Sequence, residues 1–126
     1  MSKSAIRKIL NEYLPLELER STYQEKLARY QSFVNGDKQR NIPHEAIELE
    51  DIICCRYMRL IQQQTDKLIT ILDMIDGLTD SRQRTIIHMK YVEGVPFAEI
   101  ENRLNISEST RKRELNLAIE ELERKK

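Results

Sequence analysis

Residues 44–76 read HEAIELEDIICCRYMRLIQQQTDKLITILDMID, with neither Gly nor Pro. Leu49, Ile53, Tyr57, Leu60, Gln64, Leu68, Ile71 and Ile75 advance by three or four positions throughout. That spacing returns to one side of a 3.6-residue helix, so a single long amphipathic helix is predicted from His44 to Asp76. Ile52, Met58, Ile61, Ile69 and Leu72 widen the stripe, which then needs more cover than one short helix supplies. Gln64 reads first as an edge residue in water, and otherwise as a buried polar residue fixing register or oligomer state.

The preceding segment supplies a partner. Ile6, Ile9, Leu10 and Tyr13 suit a short helix over 4–13, which should break at Leu14 because Pro15 disfavours helical geometry in the residue before it. Pro15 then opens a second helix, with Tyr23, Leu27, Tyr30 and Val34 as its stripe. Asn35-Gly36-Asp37 is expected to end it, leaving a polar loop to Pro43. Residues 1–40 carry eight basic and five acidic side chains, net +3, and residues 41–77 three basic and seven acidic, net −4. Opposite charge beside two apolar stripes suits a helical hairpin or small coiled bundle.

Composition agrees with an all-α class. Three Gly and three Pro in 126 residues leave little material for the turns of a sandwich or barrel. Lys+Arg and Asp+Glu are both 21, so the chain is no polycation that coats nucleic acid. The longest apolar run, Ile52-Ile53-Cys54-Cys55, is far short of the roughly 20 residues of a membrane span. Met1-Ser2-Lys3-Ser4-Ala5-Ile6-Arg7-Lys8 leads into no secretory apolar region, so the expected compartment is the cytoplasm, with no membrane partner. Adjacent Cys54 and Cys55 diverge on a helix and read as reduced core thiols. With His44 and His88 they show no zinc spacing. No nucleophile, base or phosphate-loop motif is present, so neither an enzyme nor a cofactor is expected.

After Gly77, which can follow the long helix as its cap with Leu78 in apolar contact, residues 78–126 divide into three helices. Thr79 or Asp80 can cap the first, which carries Ile86, Ile87, Met89 and Val92 and stops at Gly94. Pro96 opens the second, with Phe97, Ile100 and Leu104 inward. Ser107 caps the third, with Leu115, Ala118, Ile119 and Leu122 on its buried side. Only Asn105 and Ile106 lie between the second helix and the Ser107 cap. So short a turn makes two helices cross steeply, the geometry of a helix-turn-helix. It needs one residue of positive φ, which Asn105 accepts readily, while Ile106 can drop into the core. The first turns of the third helix are then open to a DNA groove.

Leu78-Thr79-Asp80-Ser81-Arg82-Gln83-Arg84, Tyr91-Val92-Glu93-Gly94, Glu99-Ile100, Leu104-Asn105-Ile106-Ser107, Thr110, Lys112, Leu115 and Ala118 closely resemble region four of bacterial sigma factors. The resemblance covers residues 78–122. With a long helical part ahead of this unit and without the rest of a sigma factor, the whole chain resembles, in architecture and length, small phage-encoded transcriptional regulators of the ArpU and RinA type. These resemblances imply residues 1–77 as an oligomerisation or interaction part and residues 78–126 as a three-helix DNA-binding domain. The chain departs from the sigma pattern at Asn105 and Pro96, commonly Gly and Ser there. Arg111 stands where an aliphatic residue usually packs inward, and Glu114, often Arg in the family, would repel phosphate.

The family's pattern makes Glu108, Ser109, Lys112 and Arg113 outward. They are the candidates for base or phosphate contact, with Arg111 as a further DNA-binding candidate whose long stem can bury while its head reaches out. The implied function is a sequence-specific transcriptional regulator, phage-encoded in the sense of that resemblance, whose partners are double-stranded promoter or operator DNA, RNA polymerase and a homo-oligomer through residues 1–77. Two alternatives are a helical interaction module occupying a sigma-binding site on the polymerase without reading DNA, and a DNA-binding subunit of a phage packaging complex.

Overall fold

The computed structural model describes the backbone of residues 2–39 and 44–125 and the side chains of residues 2–32 and 48–125. The chain is all-helical over these residues: α1 (Lys3–Asn11), α2 (Tyr13–Gln39), α3 (His44–Asp76), α4 (Ser81–Ile87), α5 (Phe97–Leu104) and α6 (Glu108–Arg124). A π-helical turn, His88–Val92, extends α4. Among the described residues no helix is long and apolar enough to cross a membrane.

α3 has the bounds its periodicity predicts. The ends of α2 differ. The break before it falls at Glu12, so Tyr13 and Leu14 already belong to α2 and Pro15 sits in its first turn, where a missing N–H leaves no helical bond unmade. At the other end α2 runs through Asn35-Gly36-Asp37 to Gln39; a single glycine costs a helix only about 1 kcal/mol, too little to stop one. Residues 40–43 of the expected loop lie outside the described residues, as does the side chain of Val34.

Two compact units form, and their division is not the expected one between residues 77 and 78. One comprises Met1–Pro15 with Leu68–Lys126, the other Leu16–Lys67. The reason is burial. In the first unit α1 and α4 both pack on α6, and α5 packs on α6 and the π turn. Ile6 and Leu10 of α1, Ile75 of α3, and Ile86, Ile100 and Ile119 are all within 1% of complete burial. The α6 stripe is therefore covered by helices from both sides of the expected boundary. Lys3 Nζ meets Glu120 Oε1 at 3.0 Å and Arg7 Nη2 donates to Asn116 Oδ1 at 3.3 Å, a falling register that makes α1 antiparallel to α6.

The second unit is a hairpin of α2 and α3. Tyr57 stacks on Tyr30, ring centroids 5.8 Å apart, and lies 6.0 Å from Tyr23. Arg20 Nε donates to Thr65 Oγ1 at 2.8 Å. Gln64 is not at a wet edge: it is 6% exposed, and its Nε2 donates to Glu19 Oε1 at 3.1 Å, which also accepts from Tyr23 Oη at 2.6 Å. That bond raises the Tyr23 phenol pKa. Among the described residues Cys54 is the only buried apolar side chain of this unit; Tyr23, Leu27, Tyr30, Ile53 and Leu60 are half-buried. Cys54 is thus a core thiol, its pKa raised first by burial, whereas Cys55 is free and exposed.

Candidate nucleic-acid interface

The turn between α5 and α6 is closed by its own backbone. Asn105 takes the left-handed conformation, φ 54° and ψ 50°. Its N–H reaches Asn102 O at 3.3 Å and that of Ile106 reaches Glu101 O at 3.0 Å. This pair of bonds satisfies two end carbonyls of α5 and defines a Schellman stop. Ser107 follows in extended conformation and caps α6, its Oγ accepting from Thr110 N at 3.1 Å. Pro96, with φ −62°, precedes α5, and Asp80 caps α4 through Gln83 N at 3.0 Å. Ile106 is half-buried rather than fully in the core.

This places Glu108, Ser109, Lys112 and Arg113 on the open side of the first two turns of α6, all exposed. The same outward side is already occupied further along, since Asn116 and Glu120 hold Arg7 and Lys3 of α1. Four exposed side chains over two turns are therefore what α6 leaves open.

Arg111 does not belong with them. It is 7% exposed, its guanidinium carbon lies 3.9 Å from the centre of the Phe97 ring, and its Nε is 3.6 Å from Glu101 Oε1. Lys90 Nζ stands 4.2 Å from the centre of the same ring. A cation over an aromatic face, paired with a carboxylate, binds α6 to α5; a contact from Arg111 to DNA is thereby withdrawn. The signal was present in sequence: Arg111, Leu115, Ala118 and Leu122 are spaced four, three and four, so Arg111 begins the inward stripe. Phe97 and Glu101 were not separable as its partners, because they reach it only across the turn.

The electrostatics of the open face are nearly self-compensating. Lys112 Nζ is 2.9 Å from Glu108 Oε1, and this hydrogen bond, then the Lys112 charge, lowers the Glu108 pKa. Arg113 Nη2 is 3.7 Å from Glu114 Oε1. The Glu114 side chain, expected to face phosphate, is only 14% exposed and accepts from Gln83 Nε2 of α4 at 3.1 Å. Its carboxylate therefore works as an α4–α6 tie. Among the described residues no three His, Cys, Asp or Glu side chains are grouped to hold a metal. His88 Nδ1 is 3.9 Å from Glu93 Oε2, and the His44 side chain lies outside the described residues.

An all-helical chain with a tightly turned helix pair and one open helix start defines a class of small helical proteins. Within it, residues 30–123 match the model of a family described as protein of unknown function (DUF1492), and the chain belongs to that family. No curated protein and no solved structure matches it. The sigma-factor resemblance thus rests on the residues quoted above, and the ArpU/RinA resemblance on architecture and length, alone.

Proposed function

We propose that the protein is a sequence-specific, DNA-binding transcriptional regulator in which α6 enters the major groove with Ser109, Lys112 and Arg113 toward the bases and phosphates. The carrying observation is the closed α5–Asn105–α6 turn, which buries Arg111, Leu115 and Ala118 and leaves the first two turns of α6 open. A short turn, a capped second helix and an open start are what helix-turn-helix recognition requires. Ser107 and the free backbone amides behind it add a place for one phosphate.

A second reading has its own observation. Each cation of the open face lies near a carboxylate, Lys112 near Glu108 and Arg113 near Glu114. A surface so compensated also suits a protein partner, and the sigma resemblance suggests RNA polymerase as that partner, with or without promoter DNA.

The two readings separate by substitution. Lys112→Ala with Arg113→Ala is expected to weaken binding of the full chain to duplexes it selects from a random pool by at least tenfold, leaving thermal stability within about 0.5 kcal/mol because both side chains are exposed. An unchanged affinity would hand the site to a protein partner.

A further inference from the structure

Within the hairpin unit, α3 has a second face opposite the one that meets α2. Asp51, Ile52, Cys55, Arg56 and Arg59 line a shallow groove of about 360 Å³ there, and Ile52 is 64% exposed. Leu49 and Met58 flank it, 60% and 54% exposed. Ile52, Cys55 and Arg59 are spaced three and four, so they form a straight seam on one side of the helix. The charges along that seam are ordered, with Glu48 and Asp51 at its start and Arg56 and Arg59 at its end.

That order selects the occupant and its direction. A second α3 laid parallel superposes acid on acid and Arg59 on Arg59. Laid antiparallel about a two-fold axis midway between residues 53 and 54, it brings each acidic end over a basic end and each Ile52 over Cys55 of the second copy. The patch is then complementary to itself, the condition for a closed two-fold interface. We infer that the protein dimerises through antiparallel packing of α3 around Ile52 and Cys55. The seam from Ile52 to Arg59 spans only about two helical turns, so the dimer is expected to dissociate in roughly the micromolar range or weaker. This pairing stands independently of any DNA contact by α6.

Sedimentation of the full chain under reducing conditions tests it. The expected result is a monomer–dimer equilibrium that Ile52→Asp weakens at least tenfold without changing the helical circular dichroism. A strict monomer at about 500 µM, or a dimer indifferent to Ile52→Asp, would overturn the proposal. Direction is read by oxidation. Ile52→Cys is expected to form a covalent dimer by bonding to Cys55 of the second copy, because the two sites share a layer. Wild type and the double variant Ile52→Cys, Cys55→Ser should stay uncrosslinked, because identical sites are then about 4.5 Å apart along the axis, three residues of helical rise. Efficient crosslinking of wild type or of the double variant would mean parallel packing and refute the antiparallel assignment.

Discussion

Arg111 separates a structural role from the recognition role proposed for its neighbours. Its neighbours Lys112 and Arg113 are chemically alike and exposed, yet Arg111 lies over Phe97 and beside Glu101, with 9% of its side chain exposed. Removing it leaves Glu101 without its cation and the Phe97 ring with Lys90 alone over it. Arg111→Ala is therefore expected to destabilise the fold by about 2–4 kcal/mol, and urea unfolding would show it. A loss below about 0.5 kcal/mol would mean that the contact carries no stability. Gly94 is the other residue whose identity is fixed by geometry. Its φ is +70°, and an added Cβ would come within 3.3 Å of Leu14 Cδ1. Gly94→Ala is expected to cost about 1–2 kcal/mol from the left-handed conformation, visible as a lower melting temperature.

At the scale of elements, the C-terminal end of α6 is tied to the turn between α3 and α4. Glu121 accepts from the Thr79 hydroxyl and from Thr79 N, the latter at 3.1 Å. Lys125 Nζ donates to Gly77 O, and Arg84 Nη1 donates to Leu78 O at 2.6 Å. The hydrogen bond from Thr79 lowers the Glu121 pKa. A carboxylate with a depressed folded pKa stabilises the fold above its unfolded pKa and loses that contribution as pH falls through the folded value. Thr79→Val is accordingly expected to lower stability above the unfolded pKa and to flatten its fall toward acid, the two proteins converging below the folded pKa, as denaturant titrations across pH would show. These ties also mark what sequence could and could not disclose. Asp80, Asn105 and Ser107 were legible because a cap or a left-handed turn is decided within a few residues. The docking of α1 on α6 was not, since Ile6 and Leu10 give a stripe but no address, and the partners Asn116 and Glu120 lie more than a hundred residues away. The run of α2 through Gly36 departs from the expected stop for a different reason: a turn-prone triplet is a weak signal inside a long helix.

Across the whole molecule, charge sets the terms on which DNA could be held. Residues 94–119 contain Arg103, Arg111, Lys112 and Arg113 against Glu99, Glu101, Glu108 and Glu114, four of each sign. Of the cations, Arg111 is buried and Arg103 lies 2.5 Å from Glu99 Oε1, which leaves Lys112 and Arg113 on the open start of α6. Each phosphate neutralised contributes about 0.9 to the slope of log K against log salt, so two such cations imply a slope near −2, with Ser107 and the helix start adding little net charge. Weak binding by one copy follows, and useful affinity requires linked copies or a polymerase-held complex. Deleting residues 1–77 does not isolate a compact helix-turn-helix unit, as the expected boundary would suggest. It removes Ile6, Leu10, Ile71 and Ile75, all buried in the core shared with α4 and α6, so residues 78–126 alone are expected to lose cooperative melting. The salt test therefore belongs to the full chain, by fluorescence anisotropy on a selected duplex at concentrations where the protein is monomeric. Glu108→Gln should raise affinity by freeing Lys112 from its carboxylate, while Lys112→Ala should flatten the slope by about one unit. A slope steeper than about −5 for the monomer would show that phosphates are held by cations elsewhere on the chain.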